Sequence, residues 1–383
     1  MANSSAATSD RAQKPPKPVI LLGLGAVGRS LLRQIEEQRP LLEREYDLRI
    51  AWLALSDSSG AVSPPESGFN GELLGEILQL KEDGGALASH SLGRAYTSPA
   101  ALVEDAGRPG AVVVDCTASD ETLDALFLAL ERGYQVVLAN KKPLTAAQEV
   151  YDRLNRVGGA ASATRSLAAL RYETTVGAGL PVIATLDRLV SSGDEIERIA
   201  GSFSGTLGFL MTGLEQGRAY SETVQDAYRL GYTEPDPRDD LGGVDVARKA
   251  LILARGIGWR IEMAHVQVSG LYPERLAGLG VDDFLSALPS LDEEYRQQAA
   301  RAASEGKVLR YAATLADGAC SVGLTAVAKD SPLGRLTGTD NLVEFYSRWY
   351  SPNPLVIQGR GAGVEATAAG VLSDIVELHF SSF

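Results

Sequence analysis

Four carboxylates and one arginine share a ten-residue loop, residues 231–240, that two prolines stiffen. Such a loop would attract a cationic group, for example the ammonium of an amino acid. Asp245 and Lys249 follow four residues apart, on one face of a predicted helix. An isolated pair at this spacing is usually a surface ion pair worth roughly 0.2–0.5 kcal/mol. The acidic loop contains Glu234 and ends at Asp240, where the helix is predicted to start. Because this loop leads directly into the Asp245 and Lys249 pair, we interpret the segment as a substrate site.

Two further amines, Lys141 and Lys142, follow a predicted buried strand at residues 134–138. The carboxyl edge of a parallel sheet is where ligands bind, so an amine at this position would be able to polarise a carbonyl group. A solvated surface pair of lysines explains the segment equally well. The residues alone therefore leave the choice between the two lysines, and between the two interpretations, open.

A glycine-rich turn near the start of the chain predicts a dinucleotide site. Residues 18–22 form a short apolar run suited to a buried parallel strand, and a G-x-G-x-x-G pattern follows before an apolar-periodic segment. The first glycine allows a tight turn, the second lets the backbone approach a pyrophosphate, and the third lets helix pack on strand. A plain tight turn is the alternative. The candidate cofactor contacts are Gly23, Gly25, Ala26, Val27 and Gly28.

The next predicted strand, residues 48–55, bears on cofactor choice. Asp57 follows it and either accepts hydrogen bonds from the adenosine ribose, which favours NAD, or is a turn residue. No lysine or arginine occurs between Arg49 and Lys81, so a cation for the 2′-phosphate of NADP is missing just after the strand. Arg29, beside the third glycine, is an alternative partner for that phosphate. The sequence therefore favours NAD without excluding NADP.

Three other segments are candidates for ligand contacts. A predicted strand at residues 111–114 leads into Thr117-Ala118-Ser119, at the edge where ligands bind, and Asp120 is a predicted helix cap. Gly361 precedes a predicted C-terminal helix and is an anion-approach or cofactor-approach candidate. The glycine-rich residues 175–181 offer carbonyl groups that could hold a monovalent cation. Tight turns and close packing are the alternative explanations.

Composition excludes several classes of function. A formal net charge of −13 argues against nonspecific nucleic-acid binding, and no stretch of 18 uninterrupted apolar residues predicts a membrane span. Cys116 and Cys320 lie far apart without metal-ligand spacing, which argues against structural zinc. Residues 1–17 lack a signal-peptide hydrophobic segment. We therefore expect a flexible tail at 1–17 on a cytoplasmic protein whose partners are small molecules.

The elements that must position these residues predict an α/β fold in two parts. Strands and helices alternate up to about residue 165, as in a Rossmann-type dinucleotide-binding domain, which we assign to residues 18–165. Beyond it, a strand at 196–203, helical segments and a hairpin turning at Asp317-Gly318 predict an α+β substrate domain, residues 166–354.

Taken together, these motifs resemble the homoserine dehydrogenase family. The matching segments follow family order along nearly the whole chain, and the stretch from Glu234 to Lys249 is the most distinctive. They are Gly23 to Gly28, Asp115 to Ser119, Ala139 to Pro143, Glu173 to Pro181, Gly205-Thr206, Gly231 to Lys249 and Gly361 to Gly363. The resemblance implies NAD(P)-dependent interconversion of homoserine and aspartate 4-semialdehyde. It also implies homodimerisation through the middle region and closure of the dinucleotide domain by residues 355–383.

Carried over by position, the resemblance makes Lys249 the main proton-transfer group and Lys141 a second amine near the reacting oxygen, also within reach of the cofactor. The implied substrate contacts are Glu234, Asp240, Asp245, Gly205 and Thr206. Backbone carbonyls that match a sodium site belong to Glu173, Val176, Ala178 and Leu180. Ser204 lies in a segment where many members carry asparagine, which is a departure from the family. Because the chain ends at Phe383, we expect neither an ACT nor an aspartokinase domain.

Two competing hypotheses remain. An aspartate-semialdehyde dehydrogenase would use Cys116 as its nucleophile, but no sequence partner for thiolate activation is evident, and a small buried side chain is the simpler explanation. A regulator that binds a dinucleotide without catalysis is the second, since fold does not imply function. Retention of both lysines and all three acids argues against that second hypothesis.

Overall fold

The computed structural model describes residues 14–155 and 169–381, so residues 1–13 of the predicted tail and the predicted domain boundary at 165 lie outside it. The strands of the first part are β1 (Lys17–Leu22), β2 (Ile50–Asp57), β3 (Gly60–Val62), β4 (Gly93–Arg94), β5 (Val112–Asp115), β6 (Gln135–Leu138) and β7 (Leu170–Arg171). Its helices are α1 (Ala26–Tyr46), α2 (Gly71–Glu82), α3 (Pro99–Ala106), α4 (Leu123–Glu131), α5 (Lys142–Thr145) and α6 (Gln148–Asn155).

These strands form one sheet in the order β4-β3-β2-β1-β5-β6-β7. Pairing is parallel from β2 through β1, β5 and β6 to β7, whereas β3 and β4 add an antiparallel edge. The central strands are buried on both faces, as their continuous valine, isoleucine and leucine runs require. This arrangement confirms the predicted Rossmann-type part, and it brings the carboxyl ends of β1, β2, β5 and β6 to one edge.

The second part adds a mixed sheet with the order β13-β12-β8-β10-β11-β9. Its strands are β8 (Ile196–Ser202), β9 (Val266–Val268), β10 (Lys307–Ala316), β11 (Ala319–Ala328), β12 (Asn341–Ser347) and β13 (Leu355–Gly359). The helices are α7 (Val182–Ser191), α8 (Gly205–Glu215), α9 (Tyr220–Arg229), α10 (Arg238–Leu241), α11 (Val244–Gly256), α12 (Val281–Ala287), α13 (Asp292–Ser304) and α14 (Val364–Phe380). The predicted hairpin is confirmed by ten β10–β11 residue pairs, and its turn residues Asp317 and Gly318 both have positive φ.

Residues 355–381 of the C-terminal segment contribute to both parts. Strand β13 pairs with β12 in the second sheet, whereas α14 lies against α1 beside the first sheet. Val371, Ile375 and Leu378 of α14 are completely buried in the core that also holds Leu31 of α1. No helix in the described ranges is long and apolar enough to cross a membrane.

Two predicted helix starts are wrong. Helix α4 begins at Leu123, and Thr122 rather than Asp120 is its N-cap, because Asp120 instead pairs with Lys142 at 2.8 Å. Asp240 does not begin the long helix either. It lies inside the one-turn α10, and α11 begins only after Gly243, whose positive φ of 73° changes the direction of the backbone between the two helices.

The third glycine of the turn lets the start of α1 lie close to the Gly23 backbone, directly after β1. A Cβ on Gly28 would lie 2.3 Å from the Gly23 carbonyl oxygen, which belongs to the backbone and cannot rotate away. Gly28→Ala should therefore lower the free energy of unfolding by about 1–3 kcal/mol. Gly75→Ala is the matched control, since Gly75 lies in α2 with nothing within 4 Å of the added Cβ. Helix propensity should make it stabilising by about 0.5–1 kcal/mol.

Urea denaturation of both variants measures the change in the free energy of unfolding, which should have opposite signs in the two variants. A Gly28→Ala protein as stable as the wild type would show that α1 and β1 are not in close contact at this position.

Candidate active site

Two lysines from different parts of the fold meet at the carboxylate of Asp245. Asp245 lies in the first turn of α11, and Lys249 lies one turn later with its Nζ 2.8 Å from Asp245 Oδ2. Lys141, at the end of β6, brings its Nζ within 3.3 Å of the other oxygen, Oδ1. Lys142 points away to Asp120. The cluster therefore contains Lys141 rather than Lys142.

The three charged groups of this cluster, one carboxylate and two amines, differ in their burial and in how their neighbours affect them. Desolvation alone would raise the pKa of Asp245, but the positive charges of Lys249 and Lys141 lower it well below its usual range. Lys249 is the more buried amine, with a side chain 12% exposed against 31% for Lys141. Its Nζ also donates to the Phe203 carbonyl at 2.7 Å, which fixes its direction. The two amines and one carboxylate leave a net positive site, which suits an oxygen that gains negative charge.

The acidic loop is held by its own carboxylates. The Glu234 amide donates to Asp240 Oδ2 at 2.8 Å, and Thr206 donates to the Tyr232 carbonyl at 2.6 Å. Arg238 binds Asp236 and also donates to two backbone carbonyls beyond α10. Two of the four carboxylates, Asp236 and Asp240, are therefore part of the scaffold.

Glu234 has a different environment from these scaffold acids. Its side chain is exposed, and no described residue hydrogen-bonds its carboxylate, whereas Asp240 is half-buried. Burial raises the pKa of Asp240 above its ordinary value, against the hydrogen bond from the Glu234 amide that lowers it. Gly205 and Thr206 begin α8 two residues after Phe203, whose carbonyl accepts from Lys249. The predicted substrate residues are therefore linked through short contacts to the lysine cluster.

A cavity of about 540 Å³ lies at the carboxyl edge of the first sheet. It is lined by the turn after β1, the end of β2 and the segment after β5, including Gly23, Gly25, Asp57, Thr117, Ala118 and Ser119. Nothing lies within 4 Å of a Cβ built on Gly25, so the backbone there is open to a ligand. Helix α1 starts at this cavity without a side-chain cap and without an acid in its first turn. Its free amides suit a pyrophosphate.

Lys81 is a cavity residue that sequence reasoning missed. Helix α2 returns its last turn to the end of β2, so Lys81 Nζ lies 2.5 Å from Asp57 Oδ2. Asp57 also accepts from Leu87 N, Ser59 N and Ser59 Oγ. Four donors occupy the lone pairs of this carboxylate, so Asp57 acts as a turn residue with a cation beside it. Desolvation would raise its pKa, but these bonds lower it.

Asn140 is a second missed residue, and it joins the two parts of the site. Its buried Nδ2 donates to Asp115 Oδ2 at 3.0 Å and to the Ser119 carbonyl at 2.7 Å, while its Oδ1 accepts from Lys142 N. Asp115, completely buried, also accepts from the Thr117 amide and hydroxyl. The cavity segment 117–119 and the Lys141 backbone are thus tied to one buried network. The position of Asn140 directly before Lys141 was the sequence feature that could have identified it.

Cys116 also faces the cavity but lacks the features of a nucleophile. Burial, and then the charge of Asp115, raise the pKa of its thiol far above the ordinary value. A thiolate, not a thiol, is the attacking species. This observation argues against the aspartate-semialdehyde dehydrogenase hypothesis.

The remaining predicted residues lie away from the cavity lining. Gly361 is buried against Asn341, whose Nδ2 donates to its carbonyl at 3.2 Å. The carbonyls of Val176 and Ala178 belong to a turn in which Gly177 and Ala178 both have positive φ. Those of Glu173 and Leu180 already accept backbone amides. The Glu173 side chain instead caps α7 through the amides of Ile183 and Ala184, and burial raises its pKa to about 7.

Comparison with known families gives matches over most of the chain. A family model described as homoserine dehydrogenase matches residues 181–376. A second model, described as homoserine dehydrogenase, NAD binding domain, matches residues 23–165. The first match covers β8 to β13, and the second covers β2 to β6.

Individual relatives agree with these family matches. The homoserine dehydrogenase of Paracoccidioides brasiliensis is 36% identical over 371 residues, covering 94% of this chain and 96% of the fungal protein. The bifunctional aspartokinase/homoserine dehydrogenase of Haemophilus influenzae is 38% identical over 94% of this chain, which spans 42% of that longer protein. A Candida auris protein of unknown function has a similar crystal structure, with a TM-score of 0.81 and 30% identity, covering 95% of this chain and 98% of that one.

Proposed function

This chain belongs to the homoserine dehydrogenase family, and we propose that it catalyses the NAD(P)-dependent interconversion of L-homoserine and L-aspartate 4-semialdehyde. This step serves threonine, methionine and isoleucine biosynthesis. The observation that carries the proposal is the convergence of Lys141 and Lys249 on Asp245, next to an acidic loop. An amino-acid alcohol requires both features, because its ammonium needs a carboxylate and its hydroxyl needs a base.

The lysines do the proton chemistry in this proposal. When bound, NAD(P) supplies the acceptor for the hydride that leaves the hydroxyl-bearing carbon. In the reductive direction the Lys249 ammonium donates a proton to the oxygen, and in the oxidative direction the Lys249 amine takes that proton back from the hydroxyl while the carbonyl bond forms. The positive charge of Lys141 stabilises the negative charge that develops on the oxygen. Asp245 keeps both amines at this oxygen and stays ionised, which its lowered pKa supports.

Substrate binding falls to the acidic loop. Glu234, with its exposed carboxylate, would bind the substrate ammonium through a charge-assisted hydrogen bond. Asp240 would orient Glu234 by accepting its amide, and Thr206 would hold the loop through the Tyr232 carbonyl. Gly205, at the start of α8, would contact the substrate through its backbone, because a Cβ at this position would lie 3.0 Å from the Thr339 carbonyl oxygen. The same side chains therefore fold the loop and shape the site.

Cofactor binding would use the glycine-rich turn and the segment after β5. The open backbone at Gly25 and the uncapped start of α1, including Ala26 and Val27, suit the pyrophosphate. Thr117 to Ser119 would border the nicotinamide side, because the Asn140 network ties them to the Lys141 backbone. Gly361 would act indirectly, through its contact with Asn341.

The expected preference for NAD loses its support, because the Asp57 carboxylate is already occupied and Lys81 lies beside it. We propose instead that both cofactors are accepted and that Lys81, together with Arg29, determines the use of NADP. Both cations line the cavity, and a 2′-phosphate near Asp57 needs them to offset the carboxylate charge. NAD carries no such phosphate and depends less on them.

Lys81→Met should lower kcat/KM for NADP by about tenfold or more relative to kcat/KM for NAD, since one lost ion pair at a half-buried site is worth at least about 1.4 kcal/mol. Initial rates with each cofactor at saturating homoserine measure this ratio. Lys329→Met, at an exposed lysine outside the cavity, should leave it unchanged. An unchanged ratio in Lys81→Met would remove Lys81 from cofactor selection.

We propose three further properties, which concern the oligomeric state, the cellular location and a bound cation. A homodimer through the middle region is supported by the exposed Trp349 and Tyr350, which lie in that region. A cytoplasmic location is supported by two free cysteines, which suit a reducing compartment. A sodium ion would be held by the turn at Val176 and Ala178, with the carbonyls of Glu173 and Leu180 completing the set, where positive φ values at Gly177 and Ala178 turn the backbone sharply.

The proposed activity is tested by homoserine-dependent formation of NADH or NADPH, followed by absorbance. Lys249→Ala should lower kcat by about 10²–10⁴ while dinucleotide binding stays within a factor of two, because the lost group acts only on the proton. Lys307→Ala, remote from the cluster, is the matched control. A wild-type protein that binds the dinucleotide but does not turn over homoserine would favour the non-catalytic regulator instead.

A further inference from the structure

Arg255 is a buried charge on the helix that carries Asp245 and Lys249. It lies in the last turn of α11, six residues after Lys249 and therefore about 9 Å further along the helix axis. Its side chain is 0% exposed. An arginine buried to this degree is rare, and one beyond reach of the lysine cluster needs a separate explanation.

The guanidinium makes five hydrogen bonds to the segments around it. Nη1 donates to the carbonyls of Leu144 and Ala146, both at 2.8 Å. Nε and Nη2 donate to the Ile261 carbonyl, and Nη2 also meets the Glu262 carboxylate at 3.1 Å. The planar fork of an arginine is required for this set, because a lysine has one nitrogen and cannot reach acceptors on both sides.

Two of these acceptors lie at the end of the short helix that Lys141 begins. Lys141 is the N-cap of α5, and its carbonyl accepts the amides of Leu144 and Thr145 at 3.1 and 3.2 Å. The last carbonyls of a helix have no partners within it, so Arg255 satisfies those of this single turn. One end of α5 therefore holds Lys141, and the other is fixed to α11.

Glu262 extends the same attachment. Its Oε2 pairs with Arg255, and its Oε1 accepts the Gln148 amide at the start of α6, at 2.8 Å. Arg255 thus binds α5 directly, and its ion pair with the partly exposed Glu262 connects the start of α6 to the same end of α11. Asp245, at the other end of α11, is the residue that Lys141 must meet.

We propose that Arg255 is a positioning residue for Lys141: it fixes α5 to α11 and so holds the Lys141 amine at the distance from Asp245 that the reaction needs. This role rests on the proposed function, because the kinetic test measures homoserine oxidation. Arg255 touches neither substrate nor cofactor, so its effect must pass through Lys141.

A double-mutant cycle tests this dependence. Arg255→Lys should lower kcat for homoserine oxidation by about tenfold or more, because small displacements of a catalytic group cost that much, with the KM for the dinucleotide nearly unchanged. In a Lys141→Ala background the same change should lower kcat by less than twofold. Equal effects in both backgrounds, or a Lys141→Ala protein with wild-type kcat, would overturn the proposal.

Arg260→Lys is the matched control: the exposed Arg260 side chain pairs with Asp152 of α6, and the substitution should leave kcat unchanged. If Arg255→Lys loses cooperative thermal unfolding, Glu262→Gln replaces it in the cycle, with the same expected pattern. Hydrogen exchange supplies a readout without turnover: the amides of Leu144 and Thr145 should exchange at least tenfold faster in Arg255→Lys, and those of α4 should not.

Unchanged exchange at Leu144 and Thr145 would overturn the proposal even if the wild-type protein proved inactive. An active wild-type protein with an additive cycle would overturn the role of Arg255 alone and leave the proposed function standing.

Discussion

The Asp245 carboxylate is the interaction on which the rest of the site depends. Two ammonium groups repel each other, and here they come from a strand end of the first sheet and from a helix of the second part. One carboxylate between them offsets that repulsion and leaves a net positive charge facing the substrate. Its own desolvation opposes ionisation, yet the two lysines keep its pKa low. The two parts of the fold must therefore be held in register for this carboxylate to contact both amines.

The fold meets that requirement with short, buried attachments rather than with a large flexible interface. Helix α14 completes the core of the first sheet, so the end of the chain joins the two parts. Asn140 ties the end of β6 to the segment after β5, and Arg255 ties α5 to α11. The Asn140 and Arg255 side chains supply donors to the backbone carbonyls of Ser119, Leu144 and Ala146. The cavity and the lysine cluster are thus positioned by the same hydrogen bonds that complete the secondary structure.

Local patterns predicted those parts of this arrangement that depend on neighbours in sequence. The glycine turn, the parallel strands, the hairpin at Asp317-Gly318 and the shared helix face of Asp245 and Lys249 follow from local spacing and periodicity. Lys81, Asn140 and Arg255 could not be assigned in this way, because the partners that define their roles lie 21 to 111 residues away. The predicted helix start at Asp240 was wrong, because a single helical turn that follows Pro237 precedes the long helix. Asp240 lies within that turn and accepts the Glu234 amide.

The most direct test of the account replaces Asp245 by asparagine, which keeps the shape of the side chain and removes the charge that gathers the two amines. The measurement is kcat for homoserine oxidation, with dinucleotide binding and thermal unfolding followed in parallel. The kcat of Asp245→Asn should fall by at least about 100-fold, with dinucleotide binding and thermal unfolding close to wild type, because a group that orients the catalytic amine is lost. Turnover within a factor of two of the wild type would contradict it, because the lysines would then need no shared carboxylate.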